Sequence, residues 1–277
     1  MKSARRGLIV LSVWLTAAFS SAQSSYQVIS VENGGTISGT VKWEGALPHL
    51  APALINKDPE VCDPQAEKHR DMERLLVSPT RGVANTVVYL KDIARGKAMD
   101  LPEPRQFLNQ KNCRYEPHIL LVPLQHDVKI KSSDPLLHTV HMSGAADYNL
   151  PFPFRDQVVT RNMNREGLVD LRCNAGHVWM NAELMVAPHP YYAVTNAEGE
   201  FQITDVPPGD YEIVAWHEGW RVAGESSLYD VMTQVRVRRP VFSEPIVWSK
   251  HVSVPPGQGV EVNFTLGEKS PQMAMGK

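Results

Sequence analysis

Alternation of apolar and polar side chains with a period of two is the feature that most constrains this sequence. Successive side chains of a β-strand point to opposite faces, so such alternation is typical of strands with one buried face. The apolar positions of the clearest runs are Ile37, Val41 and Trp43; Val128 and Ile130; Val169, Leu171 and Cys173; and Val260, Val262, Phe264 and Leu266. Helical periodicity is weak and confined to residues 64–76, so the sequence predicts an all-β fold with one short helix there.

Length and charge limit the class of protein. The 277 residues are 43% hydrophobic, which suits about two domains of ordinary size. The 28 lysines and arginines oppose 30 aspartates and glutamates, with no long run of one sign, so we expect no nucleic-acid partner. The sequence has no G-x-S-x-G, no His-Glu-x-x-His and no Gly-rich phosphate loop. Enzymatic activity stays open, but these patterns give no positive sign of it.

The first 22 residues are typical of an export signal. Lys2, Arg5 and Arg6 precede an apolar run over residues 8–19, and Ser20-Ser21-Ala22 offers small residues for cleavage. The apolar run is shorter than the roughly 20 residues that cross a bilayer. We therefore expect cleavage after Ala22 and a periplasmic or secreted protein with no stable membrane span. An uncleaved anchor is the alternative.

Three cysteines in an exported protein allow at most one intramolecular disulfide. Cys62 and Cys113 both lie in polar segments, where a loop-to-loop disulfide is plausible, although both could be free thiols. Cys173 differs because it ends an apolar alternation and a histidine follows four residues later. It is either a buried structural thiol or a functional group.

Segments from both ends of the chain resemble the carboxypeptidase-regulatory, transthyretin-like β-sandwich. The resemblance rests on residues 34–45 (GGTISGTVKWEG), 85–93 (NTVVYLKDI) and 193–216 (AVTNAEGEFQITDVPPGDYEIVAW), with 259–267 as a closing strand. It implies a discontinuous sandwich domain, residues 23–103 and 189–277, into which residues 104–188 are inserted. That module has no catalytic site in its family.

The inserted segment resembles the cupredoxins, the small blue copper proteins. A histidine, His138, follows a Ser133-Asp134 loop, and Cys173 ends a late strand before His177 and Met180. The resemblance implies a Greek-key β-sandwich holding one copper ion, with His138, Cys173 and His177 as equatorial ligands and Met180 as a weak axial ligand. One thiolate, two imidazoles and a long thioether contact suit copper that cycles between Cu(I) and Cu(II).

Two departures from the cupredoxin pattern leave details open. Three residues separate Cys173 from His177, where most small blue copper proteins have two. This spacing resembles the binuclear copper loop of cytochrome oxidase subunit II, but that site needs a further cysteine where this chain has Val169. A mononuclear site is therefore predicted. His141 and His118 stay open as extra or alternative ligands. Zinc could occupy a site of one cysteine and two histidines, but it has no use for a thioether.

These patterns predict an exported mononuclear copper protein that transfers single electrons between redox partners, such as a cytochrome or an oxidoreductase. Two alternatives share the sequence features. The first is a periplasmic copper carrier with the same ligands. The second is a metal-free adhesion or assembly module of the cell envelope.

Overall fold

The computed structural model describes residues 26–99, 106–230 and 234–267. The predicted export signal, residues 1–22, lies outside these ranges. The described chain is almost entirely β-structure in several sheets, so the prediction of an all-β fold is confirmed. No helix in the described ranges is long and apolar enough to cross a membrane.

The strands are numbered in chain order. They are β1 (Gln27–Val28), β2 (Gly35–Glu44), β3 (Ala53–Leu54), β4 (His69–Arg70), β5 (Val87–Lys91), β6 (Arg95–Gly96), β7 (Phe107–Lys111), β8 (Arg114–Glu116), β9 (Ile119–Pro123), β10 (His126–Ser132), β11 (His138–Gly144), β12 (Tyr148–Phe152), β13 (Val158–Met163), β14 (Gly167–Arg172), β15 (Asn181–Ala187), β16 (Tyr192–Val194), β17 (Glu200–Val206), β18 (Gly209–His217), β19 (Val222–Asp230), β20 (Val235–Phe242), β21 (Ile246–Val254), β22 (Gly259–Glu261) and β23 (Phe264–Gly267).

Strands β7 to β15 form two sheets, which we call the central unit. One sheet has the order β13-β10-β7-β8 and the other β12-β11-β14-β15-β9, with parallel pairing of β7 to β10 and of β9 to β15. The alternating apolar residues of these strands, including Val128, Ile130, Val169 and Leu171, are buried in one shared core. The period-two pattern thus places one face of each strand inside and the other outside.

Strands from both sides of the central unit in sequence form a second pair of sheets, which we call the flanking unit. Their orders are β16-β5-β18-β21 and β17-β2-β22, with β23 also paired to β2. Ile37, Val41 and Trp43 lie in the core of this unit. The domain boundaries at 103/104 and 188/189 stay predictions, and the first of them lies outside the described ranges.

The segment between β3 and β5 departs from the sequence prediction. Residues 64–76 contain no helix, and the helix α1 is a single turn at Pro59–Cys62. The prediction for 64–76 was wrong because polar turns and the short strand β4 interrupt its weak periodicity. Ile55 and Cys62 pack into the core of the central unit, although the sequence assigned them to the flanking domain.

The two units contact each other through a small apolar cluster and a buried charged one. Val87 and Trp216 of the flanking unit pack against Ile119 of the central unit. Beside them, Arg74 lies between Glu218 at 2.5 Å and Glu183 at 3.5 Å, and all three side chains are buried. Buried charged side chains are tolerated only when groups of the opposite charge lie beside them.

Strands β19 and β20 form a separate two-stranded hairpin, which we call the arm. The arm starts directly after the flanking-unit segment that contacts Arg74 and returns to β21. Most of its side chains are exposed, whereas Asp230 is buried. The arm therefore contacts the rest of the molecule through few residues, and two of these lie at the site described next.

Candidate metal centre

The ends of two neighbouring strands bring the predicted ligands together. His138 is the first residue of β11, and Cys173 directly follows β14, which pairs antiparallel with β11. The loop after Cys173 turns back on itself, because the Met180 amide donates to the His177 carbonyl (3.0 Å) and the Val178 amide to that of Gly176 (3.0 Å). His177 is thereby returned to the side of Cys173.

Gly176 is required for this turn. Its φ of +95° lies in the left-handed region, which side chains other than glycine rarely adopt. A Cβ at this position would lie 2.8 Å from Asp230 Oδ2 and 2.9 Å from Lys57 Cδ. The loop thus combines a special backbone conformation with close packing by two outside residues.

The three side chains converge on one point. Cys173 Sγ lies 3.9 Å from His138 Nδ1 and 3.6 Å from His177 Nδ1, and all three residues have no solvent exposure. The three ligand atoms lie within 4.8 Å of one another. A trigonal ion with bonds of about 2.3 Å to sulfur and about 2.0 Å to nitrogen holds such atoms about 3.7 Å apart. The cluster therefore fits a metal ion with little movement.

Both histidines are oriented by carboxylates on their far side. The Nε2 atom of His138 lies 2.9 Å from Asp134 Oδ2, and that of His177 lies 2.9 Å from Asp58 Oδ2. Donation from Nε2 to a carboxylate fixes the ring orientation and the tautomer. In the neutral rings, Nδ1 then carries the lone pair and points towards Cys173.

Asp134 has further partners that keep it ionised. Its two carboxylate oxygens accept the backbone amides of Asn112 and Cys113, both at 2.8 Å. Burial alone would raise the pKa of Asp134, but the hydrogen bonds from His138 and from these amides outweigh burial and lower its pKa. The carboxylate that orients His138 is therefore itself held by two backbone amides.

The environment of Cys173 favours its thiolate. Burial would raise the pKa of this thiol, but the hydrogen bonds and charges of His138 and His177 lower the pKa well below its ordinary value. Burial would also lower the pKa of His138, yet its hydrogen bonds to Asp134 and Cys173 raise the pKa to about 9. The thiolate is the form that binds metals.

The predicted disulfide is present and lies beside the cluster. Cys62 and Cys113 are bonded and buried, and their sulfurs lie within 4.8 Å of a ring nitrogen of His177. Cys62 is the last residue of α1, and Asp58 immediately precedes that helix. The disulfide therefore ties the segment that supplies Asp58 to the central unit.

Residues outside the central unit also contact the ligand loop. Arg239 of the arm donates through Nη2 to the Cys173 carbonyl (2.7 Å) and to Asn174 Oδ1 (3.3 Å). Lys57 forms an ion pair with Asp230, and both lie against Gly176. The loop is thus covered from two sides by segments distant in sequence.

The remaining predicted ligands are placed differently. Met180 is buried at the end of the loop, and its role as axial ligand stays a prediction. His118 is buried against Glu218 at the contact between units. His141 is on the opposite face of β11 from His138, next to Arg172 in the pairing register. Among the described residues, the close ligand groups include neither His118 nor His141.

Asp58, Asp134 and Arg239 are the site residues that sequence reasoning did not assign. The sequence could have indicated Asp134, because this residue precedes His138 by four positions in the loop that carries the resemblance. Asp58 and Arg239 had no such signal, since they are 119 and 66 residues from their partners. Only the folded chain brings them to the site.

Comparisons with known proteins match parts of the chain. Residues 189–239 match the model of the family described as BOS complex subunit NOMO1-like, second beta sandwich domain. The β-sandwich class is thereby shown. No curated protein matches.

Several solved structures are similar to about a third of the chain. A mutant of amicyanin in its reduced form is 20% identical, over 32% of this chain and 87% of amicyanin, with a TM-score of 0.28. The purple cupredoxin of Nitrosopumilus maritimus is 16% identical over 29% of this chain and 98% of its own, with a TM-score of 0.26. The copper-containing nitrite reductase of Thermus scotoductus SA-01 is 14% identical over 35% and 25%, with a TM-score of 0.28. Similarity at this level supports no inference about function. The function is therefore argued from the chemistry of the site.

Proposed function

We propose that this protein holds one copper ion at His138, Cys173 and His177, with Met180 as a weak axial ligand, and transfers single electrons between redox partners. The partners would be proteins such as a cytochrome or an oxidoreductase, outside the cytoplasm. The observation that carries the proposal is the convergence of one thiolate and two Nδ1 atoms at 3.6 and 3.9 Å. One soft sulfur and two imidazoles are the donor set that copper accepts in both oxidation states.

The residues around the ligands support electron transfer over metal delivery. Copper bound here would supply a one-electron couple, and the chain would supply a fixed and water-free environment. All three proposed ligands have no solvent exposure. Asp58 and Asp134 hold the imidazoles in one orientation, so little rearrangement would accompany a change of charge. A carrier that exchanges its metal readily needs ligands that an acceptor can reach.

Anaerobic copper titration followed by absorption and electron paramagnetic resonance spectra tests the proposal. We expect one copper ion per chain and a thiolate-to-copper charge-transfer band in the visible range. Cys173→Ser and His138→Ala should abolish the band, whereas His141→Ala, on the other face of the same strand, should keep it. Met180→Leu should keep the band and change its position.

Three results would contradict the proposal. The band could be missing in the wild-type protein, or it could survive in Cys173→Ser. Metal analysis of the protein purified without added copper could also find zinc alone. Rapid loss of Cu(I) to a chelator, with slow electron exchange, would favour the carrier function instead.

A further inference from the structure

The arm has two faces with different surroundings. In paired strands, alternate side chains point the same way, and residues directly opposite each other share a face. Arg239 pairs with Ser226, and Asp230 pairs with Val235, so these four residues share the face that contacts the ligand loop. The opposite face contains Tyr229 across from Arg236, and Ser227 across from Arg238.

The outward face has the composition of a protein contact. Tyr229 is 49% exposed, Arg236 is exposed, and the side chain of Arg238 is 83% exposed. Tyrosine and arginine are the residue types that most often dominate binding energy at interfaces. The one anionic group on this face is Glu225, 3.5 Å from Arg238. The face is therefore net positive in a chain whose formal net charge is −2.

The outward face of the arm lies above the loop that holds the proposed copper ligands. The inward side of the same hairpin is bonded to Cys173 through Arg239, at 2.7 Å from the carbonyl oxygen of the cysteine. A protein on the outward face is then separated from the ligand loop by one layer of β-structure. Neither strand of the arm has another strand partner among the described residues.

We propose that the outward face of the arm, formed by Tyr229, Arg236 and Arg238, binds an acidic surface of the redox partner protein. This inference rests on the proposed electron-transfer function. The positive side chains attract the partner and orient it over the Cys173 loop, where copper held by His138, Cys173 and His177 would supply the one-electron couple. Such charge pairing acts mainly on the association rate and weakens with ionic strength.

The first test needs no copper. Calorimetric titration of the metal-free protein with an oligoglutamate peptide, a model of an acidic surface, should show binding that weakens as salt rises. Arg236→Glu/Arg238→Glu should lower the affinity by roughly tenfold or more. Lys129→Glu/Arg155→Glu, with the same charge change on exposed residues of the central unit, should alter it by less than about twofold.

The second test uses the copper-loaded protein. Oxidation of the Cu(I) form by hexacyanoferrate(III), which gains the single electron that Cu(I) loses, should slow roughly tenfold in Arg236→Glu/Arg238→Glu at low ionic strength. The rates should converge at high ionic strength, and oligoglutamate should inhibit the wild type and the control variant but not Arg236→Glu/Arg238→Glu. Arg236→Gln/Arg238→Gln should give an intermediate rate. Circular dichroism and thermal unfolding should show that all variants are folded.

The outcomes separate the two proposals. A normal copper band with rates and peptide binding equal to those of the control variant would overturn the role of the arm and leave the copper site standing. A missing band with peptide binding lost in Arg236→Glu/Arg238→Glu would overturn the copper function and the redox character of the partner, and would leave the arm as a face that binds an acidic protein. Sedimentation that shows a dimer broken by the same variant, or binding to vesicles of anionic phospholipid in place of the peptide, would also overturn an acidic protein partner.

Discussion

At the scale of single residues, the site is defined as much by the carboxylates as by the proposed ligands. Two imidazoles can approach a thiolate in many orientations, but Asp58 and Asp134 select one by accepting from Nε2. The order of His138, Cys173 and His177 in the sequence could predict their convergence, because the resemblance supplied a fixed arrangement. It could not predict Asp58, since no local pattern links a loop residue to a histidine 119 positions later.

Removal of the Asp58 carboxylate should weaken metal binding. In Asp58→Ala, His177 loses the acceptor that fixes its ring, and loss of such a partner typically lowers metal affinity by about 10–100-fold. Competition with a Cu(I) chelator measures the change. Glu60→Ala, an exposed carboxylate two residues away in α1, is the matched control. Equal affinities in the two variants would show that Asp58 does not position His177.

The stability of the metal-free protein should depend on pH through Asp134. Folding lowers the pKa of Asp134, so its ionised form stabilises the fold above the ordinary carboxyl pKa of about 3.9, and this contribution is lost as pH falls. Asp134→Asn should therefore lower the unfolding free energy at pH 7 by roughly 1–3 kcal/mol. The difference from wild type should shrink below about pH 4. Urea unfolding at both pH values measures it, and a pH-independent difference would contradict this assignment.

At the scale of elements, strands were predictable and their long-range attachments were not. Alternation identified β2, β10, β14 and the strands near 260–266, because one buried face imposes a period of two on any sequence. The helix predicted within residues 64–76 lies at Pro59–Cys62 instead, because a single helical turn is too short to show a helical period in the sequence. The arm also escaped prediction, because a hairpin with two mostly exposed faces has no reason to alternate.

The disulfide should stabilise both the fold and the site. It closes a loop of 51 residues, which corresponds to roughly 4 kcal/mol of unfolded-state entropy, with about 2–5 kcal/mol typical for its removal. Cys62→Ala/Cys113→Ala should lose stability in this range under chemical denaturation. It should also bind copper more weakly, because the segment with Asp58 is no longer tied to the central unit. Unchanged copper affinity in a destabilised variant would limit the disulfide to a purely structural role.

At the scale of the whole molecule, a buried ion pair joins the two units. Arg74 contacts Glu218 and Glu183, and it donates to the Gly219 carbonyl through Nε (2.9 Å) and Nη2 (2.8 Å). The sequence predicted two β-units from its two resemblances. It could not predict how they join, since the contact depends on a charged residue in an irregular segment.

Removal of Arg74 alone should destabilise the protein more than removal of Arg74 and Glu218 together. Arg74→Leu removes the arginine that Glu183 and Glu218 share and leaves only His118 beside Glu218. Removal of one partner of a buried ion pair typically costs about 3–5 kcal/mol. Arg74→Leu/Glu218→Leu should recover part of that loss. Arg81→Ala, which removes an exposed arginine of the flanking unit, should cost less than about 1 kcal/mol. Equal losses in the single and double variants of the pair would contradict the coupling.

The enclosure of the ligand loop has a consequence for the exchange of a bound ion. Asp58 and Arg239 reach the loop from outside the central unit, the disulfide lies beside His177, and His177 has no exposed surface. An ion that occupies this position has to arrive before those segments close, or wait for them to open. Copper bound as proposed would then enter and leave slowly, at a rate set by how often these segments open.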